Sequence, residues 1–266
     1  MRIIINGIYG KMGRMILETA AGFDDLVVVC GFDKPKDVSI STHGPEPLGF
    51  KGSPVPVFGS PDGYDGTADV IIDFSHYSAV PGLLGYAASR GIPVVICTTA
   101  LEDKARAAMA AASDRIAVFN SANMSLGVNV MKNLVSAAAP VFEDSFNVEI
   151  IEKHHNSKLD SPSGTALLLA DAISDSCSEP RNYVYGRHGR EDSIKLTDLG
   201  IHSVRGGTLP GEHTVIFAGS DEVLEITHRV FSRRVFAFGA LKAAEFVVRK
   251  PAGLYSMDDL IAENGE

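Results

Sequence analysis

Short runs of β-branched residues alternate with helix-period segments through the first half of the chain. Arg2–Asn6 predicts a strand, and Lys11–Gly22 a helix with Met12, Met15, Ile16, Thr19 and Ala20 on one face. Leu26–Phe32, Asp69–Phe74, Pro93–Cys97 and Ile116–Asn120 predict four more strands, and Ser78–Arg90 and Leu101–Ser113 two more helices. Strands that are apolar throughout and separated by helices fit a parallel sheet covered on both faces, the doubly wound α/β pattern. The rhythm breaks between Lys34 and Ala68, where six prolines and six glycines predict an irregular excursion.

The second half has another pattern. A helix over Gly127–Phe142 leads to the alternating strand Phe146–His154 and to a helix from Ser163 to Asp175. Strand-like runs follow at Ser193–Asp198, Ile201–Arg205, His213–Ala218 and Val223–Val230, and a last helix covers Val235–Val248. Consecutive strands with few helices predict a mostly antiparallel or mixed sheet. The change of pattern falls near Asn123–Gly127.

Composition adds exclusions. A chain of 266 residues is comfortable for two domains. A formal net charge of −9 argues against nonspecific nucleic-acid binding or attachment to an anionic membrane, which both want excess Lys and Arg. No run approaches the ~18 apolar residues of a spanning helix, and Ile3-Ile4-Ile5 is too short for a signal-peptide core. Cys30, Cys97 and Cys177 are scattered, so neither a disulfide framework nor a structural zinc site is expected. The expectation is a cytoplasmic, reduced protein that meets any anionic ligand with a local cluster of cations.

Two segments concentrate the chemistry. The first strand runs into Gly7-Ile8-Tyr9-Gly10-Lys11-Met12-Gly13, which opens the first helix. Glycines there permit a tight turn and let backbone N–H groups and the helix start approach a pyrophosphate. A structural glycine turn has the same letters, but Asp33 stands at the end of the second strand, twenty residues past Gly13. A carboxylate in that place hydrogen-bonds ribose hydroxyls and favours NAD(H), whereas Lys34 beside it suits a 2′-phosphate, so NAD and NADP both remain open. Polar strand ends at Asp73-Phe74-Ser75, Cys97-Thr98-Thr99 and Ser121-Ala122-Asn123-Met124 extend the same edge.

The second segment runs from Glu152 to Thr165. Val148, Ile150, Glu152 and His154 share one strand face, so adjacent His154 and His155 point apart and make a poor chelating pair. Ser163-Gly164-Thr165 opens the next helix, as a plain cap or as a carboxylate site. With Lys158, and with Arg233 or Arg234 joining from just before the last helix, these residues predict a cationic nest for a small anionic substrate, in which an imidazole donates a proton.

These motifs resemble the dihydrodipicolinate reductase family along essentially the whole chain. The resemblance is carried by GIYGKMGR at Gly7–Arg14, DFS at Asp73–Ser75, SANMSLGVNV at Ser121–Val130, EKHHNSKLDSPSGTA at Glu152–Ala166, HSVRGGTLPGEHTV at His202–Val215 and ITHRVFSRRVFAFGAL at Ile226–Leu241. It implies a Rossmann-type dinucleotide-binding domain over 1–124 and 235–266. It also implies an α+β domain over 125–234, with a mixed sheet, that binds substrate and builds a homotetramer. The implied reaction is hydride transfer from NADH or NADPH to a cyclic unsaturated dicarboxylate. By the same resemblance His154 donates the proton, Lys158 assists, and His155, Ser163, Gly164, Thr165 and Arg233 hold the carboxylates. The cofactor contacts it implies are Gly7, Tyr9, Gly10, Lys11, Met12, Gly13, Asp33, Lys34, Phe74, Ser75, Cys97, Thr98, Thr99, Ser121, Asn123 and Met124, with no metal. Two departures stand out: Cys97-Thr98-Thr99-Ala100 where the family usually has G-T-T-G, and Met124 where it has Phe. A Cβ at 97 or 100 would crowd the nicotinamide wherever the backbone needs positive φ.

Overall fold

The computed structural model describes residues 1–34, 46–50, 53–189 and 193–264. The chain begins with β1 (Arg2–Asn6), α1 (Lys11–Ala20), β2 (Val27–Phe32), β3 (Glu46–Phe50), β4 (Ser53–Phe58), β5 (Val70–Asp73), α2 (Val80–Arg90), β6 (Val94–Ile96), α3 (Asp103–Ser113) and β7 (Ala117–Asn120). It continues through α4 (Leu126–Phe142), β8 (Asn147–His154), α5 (Gly164–Ser176), β9 (Asn182–Tyr185), β10 (Asp198–Arg205), β11 (Glu212–Ala218) and β12 (Val223–Arg229), and closes with α6 (Arg234–Val247), β13 (Gly253–Tyr255) and α7 (Met257–Asn264). Two compact units result: Met1–Ser125 with Arg233–Glu266, and Leu126–Ser232. Among the described residues no helix is long and apolar enough to cross a membrane.

The first unit is built on one sheet of order β13-β7-β6-β5-β1-β2-β4-β3, in which every pairing except β3 with β4 is parallel. Its strands are buried on both faces, as continuous apolar runs require: Ile3, Ile4 and Ile5 of β1 and Val70, Ile71 and Ile72 of β5 are wholly inaccessible. This is the doubly wound arrangement predicted from the pattern. Strand order reverses at β1, which lies between β5 and β2, so the carboxyl ends of these strands border a crevice.

The excursion needs correcting. Within it β3 and β4 pair antiparallel, and β4 adds in parallel to β2. Prolines hid the strands, yet Pro47 faces Pro56 and Gly49 faces Pro54 at the sheet edge, where missing N–H donors are tolerated. Val55 and Val57 supply the buried face. Residues 35–45 and 51–52 of the predicted excursion lie outside the described residues.

The second unit carries a five-stranded mixed sheet of order β12-β11-β8-β10-β9, with β8, β10 and β9 parallel and β11 antiparallel to both its neighbours. Helices α4 and α5 cover one face, where Val135, Ile150, Leu169, Ile173, Val215 and Phe217 form the core. The strand predicted over Ser193–Asp198 does not form. Asp198 instead caps a turn by accepting from the Lys195 N–H, Arg181 reaches the Leu196 carbonyl, and Ile194 and Leu196 are exposed. Pairing starts at Asp198 and passes through Gly200, where a Cβ would fall 1.8 Å from Glu149 Oε2 and displace that carboxylate. Strand β9 was not predicted; it is short and half exposed, with little alternation to read.

Candidate active site

In the first unit, backbone builds the site. The chain leaves β1 at Gly7 with φ +81°, and a Cβ there would strike the Phe74 carbonyl at 2.8 Å. A Cβ on Gly13 would lie 2.2 Å from the Gly7 oxygen, so α1 can approach the turn only with glycine at that position. Gly10 caps α1 without any side-chain hydrogen bond, and no acidic residue occupies the first helical turn. The helix start therefore presents its N–H groups and positive dipole end to an anion.

Asp33 completes the turn. Its carboxylate accepts from the Tyr9 N–H and the Lys34 N–H, both at 2.8 Å, which ties the end of β2 to the glycine turn. A cleft of about 880 Å³ opens at the carboxyl ends of β1, β2, β4 and β5. Gly7, Tyr9, Gly10, Asp33, Lys34, Phe74 and Ser75 line it, as predicted from sequence, and so do Ser60, Asp62 and His76, which were not. Size, glycine turn and acid together fit a dinucleotide. Lys11 and Met12 form the first turn of α1 behind Gly10.

The other predicted contacts stand elsewhere on that edge. Buried Asp73 ends β5, and accepts from Asn6 Nδ2 (2.7 Å), Thr98 Oγ1 (2.6 Å) and the Ser75 N–H (3.2 Å), which gathers the ends of β1, β5 and β6. Burial raises its pKa in spite of these donors. Thr98 and Cys97 are buried, and burial, then the neighbouring Asp73, pushes the Cys97 thiol well above its ordinary range. Thr99 is exposed, and Ala100 adopts φ +54°, the left-handed region foreseen as a difficulty for a residue with a Cβ. Ser121 and Asn123 follow β7 in a local hydrogen-bonded turn. The Met124 side chain is buried, and its carbonyl packs so near α6 that a Cβ on Gly239 would lie at 1.7 Å. Arg233, exposed at the start of α6, also belongs to the first unit.

In the second unit, side chains build the site. Strand β8 alternates strictly, placing Glu152 (0 % exposed) and His154 (8 % exposed) on the face that packs inward. Glu152 Oε2 meets His154 Nδ1 at 2.5 Å and accepts from Arg205 Nη1 at 2.7 Å, while Oε1 accepts from Arg205 Nη2 at 2.7 Å and the Ser163 N–H at 3.1 Å. Burial alone would raise this carboxyl; Arg205, Ser203 and His154 together hold it down to about 2. Losing Arg205 would leave this buried carboxylate without its counter-charge, a cost of about 3–5 kcal/mol. Burial lowers the pKa of His154, Glu152 opposes that, and Lys158 and Arg205 reinforce it.

The motif's remaining residues surround this pair. Lys158 forms an ion pair with Asp160 at 2.9 Å, and His155, half buried, meets the Ser157 hydroxyl at 2.8 Å. Ser163 caps α5 by accepting from the Ala166 N–H, and its hydroxyl also meets His213 Nε2 at 2.9 Å, so Gly164 and Thr165 open the helix beside a hydroxyl already engaged. His213, 4 % exposed, has its pKa lowered to about 4 by burial and then by His154. Its ring packs edge-on to His154 with centroids 5.1 Å apart. Sequence reasoning named neither Arg205 nor His213 as site residues. The available signal was a buried-face position: His213 alternates with Val215 and Phe217 on β11, and stands opposite Glu152.

Comparison with known proteins decides the family. The dihydrodipicolinate reductase N-terminus model matches residues 1–124, and the C-terminus model of the same name matches 127–261. The chain belongs to the dihydrodipicolinate reductase family. Among its relatives, the 4-hydroxy-tetrahydrodipicolinate reductase of Caldanaerobacter subterraneus subsp. tengcongensis is 48 % identical, with 98 % of each chain covered. The protein of that name from Clostridium botulinum is 43 % identical over the same share of both. A solved dihydrodipicolinate reductase family structure, the dipicolinate-bound enzyme of Paenisporosarcina sp. TG-14, superposes with a TM-score of 0.78 at 25 % identity, covering 96 % of this chain and 97 % of that one. C. glutamicum DAP dehydrogenase, at 15 % identity and TM-score 0.55, shares the fold.

Proposed function

We propose that the protein is a 4-hydroxy-tetrahydrodipicolinate reductase of the diaminopimelate and lysine pathway, with the first unit holding a reduced nicotinamide cofactor and the second the dicarboxylate. The observation that carries the reading is the His154 imidazole: Nδ1 is committed to buried Glu152 within a motif of cations, beside the start of α5. When bound, the nicotinamide supplies the hydride. Replacing the 4-hydroxyl of the substrate by that hydride releases one water and consumes one proton. Hydride addition to a conjugated cyclic imine leaves an enamine whose carbon must be protonated, and His154 is the donor.

The pKa of His154 gives this step a direction. Burial and neighbouring cations keep the ring neutral in the free site. A dicarboxylate adds negative charge to that of Glu152 and so favours the imidazolium when substrate is present. Lys158 exchanges Asp160 for a substrate carboxylate, while the Gly164 and Thr165 end of α5, His155 and Arg233 hold the anionic groups. Ser163 contributes by shaping the helix start, since its hydroxyl caps Ala166 and meets His213.

Both cofactors serve, because Asp33 accepts ribose hydroxyls and adjacent Lys34 pairs with a 2′-phosphate. A homotetramer and a cytoplasmic location belong to the same reading and rest on the family resemblance. The test is oxidation of NADH and of NADPH with enzymatically generated substrate. Turnover with both, within about tenfold in kcat/KM (about 1.4 kcal/mol), is the expected result. Binding of cofactor without turnover would mark a noncatalytic sensor instead.

A further inference from the structure

Resting on that reading, we propose that Glu152, clamped by Arg205, is a positioning residue that fixes the tautomer of His154 and makes Nε2 the atom from which the proton leaves. Four donors converge on one buried carboxylate. Arg205 and the Ser163 amide can only donate: the fork gives one N–H to each oxygen, and Ser163 gives a second to Oε1. His154 Nδ1 lies 2.5 Å from Oε2. A lone pair on Nδ1 would face the lone pairs of an ionised oxygen at that distance, so Nδ1 carries the hydrogen and Nε2 is the basic atom of the neutral ring.

Nε2 lies beside Gly211. Gly211 adopts φ +145°, and a Cβ at that position would come within 3.3 Å of Nε2. The charged and titratable groups facing the ring are Glu152 on β8, Arg205 on β10, His213 on β11, and Lys158 in the connection to α5 with Asp160 paired to it. His213 is held neutral by burial and does not compete for the proton. In the transfer, the Nε2–H bond of the imidazolium breaks and the enamine π pair forms the new C–H bond. The ring returns to its Nδ1–H form and regains its proton from solvent.

The same carboxylate also receives the Ser163 N–H, so it anchors the helix start as well as the imidazole. A purely structural carboxylate would affect folding and leave the chemistry of the folded molecules alone. The two roles separate in the pH profile and in the ring nitrogens.

The experiment combines 15N-histidine NMR of the wild-type protein with kinetics of Glu152→Gln. Neutral His154 should show the Nδ1–H tautomer. Glu152→Gln should lower kcat by about 10²-fold with KM nearly unchanged, and should move the limb on which activity falls with rising pH to lower pH, because Glu152 supports the imidazolium. An Nε2–H tautomer in the wild type would overturn the proposal, as would a Glu152→Gln enzyme with wild-type kcat and pH profile. The tautomer measurement needs neither the variant nor turnover. A wild-type protein without reductase activity would therefore sink the proposed function and still leave the role of Glu152 decided by NMR.

Discussion

The two units build their candidate sites from different materials. In the first, the Gly7–Gly13 turn, the Asp33 tie and the open start of α1 present main-chain groups, and side chains matter chiefly where they are missing. In the second, a carboxylate, two imidazoles and an arginine fork occupy neighbouring strands of one sheet, and burial and their mutual charges set their protonation. A main-chain site recognises a pyrophosphate whatever the protonation state of the protein, which suits a cofactor common to many reactions. A site of coupled side chains responds to pH and to the charge of its ligand, which suits proton transfer.

The contrast breaks most sharply at Gly13. Gly13→Ala places a methyl 2.2 Å from the Gly7 oxygen and 2.7 Å from Ile8 Cα, with no flexible atom to yield. We expect a stability loss of more than about 3 kcal/mol and loss of nicotinamide binding, read by thermal melting and by titration calorimetry. A stable variant that binds cofactor would show that the turn is not built as described.

The next effect belongs to the second unit. His213 titrates at about 4 in the fold against 6.5 in the open chain, so the unfolded state binds the extra proton between those values. Stability is then complete above pH 6.5 and falls as pH drops toward 4, by about 3 kcal/mol at most. Glu152, at about 2 against 4.5, adds a second loss below pH 4.5 with the same sign. Amide exchange in β11 against pH should show the upper window, and His213→Gln should abolish it. A profile flat from pH 7 to 4 in the wild type would contradict the burial of a neutral ring.

The smallest effect sharpens the first unit's side. Ala100 holds φ +54°, which costs a residue with a Cβ about 1 kcal/mol. Ala100→Gly should gain about 0.5 kcal/mol after the larger chain entropy of glycine is subtracted, measured by denaturant unfolding. A loss would mean that the methyl group packs usefully.

Much of this was legible in the sequence because it follows from local rules. Apolar runs announced the parallel strands, the glycine spacing announced the turn, and the period of two along β8 placed Glu152 with His154. What was not legible depends on pairing between distant strands. Arg205 stands beside His154 only through the parallel register of β10 on β8, and His213 opposite Glu152 only through the antiparallel register of β11. No spacing along the chain encodes either meeting. Prolines concealed the edge strands for the opposite reason: a local rule against strands yields where one side of the strand needs no donors.

The division of labour is tested most directly by His154→Gln, assayed for nicotinamide affinity and for turnover in the same preparation. Turnover should fall by about 10²-fold while affinity for NADH and NADPH stays at the wild-type value. Full turnover in the variant, or cofactor affinity lost along with it, would contradict a protonating site in the second unit that is separate from the cofactor site of the first.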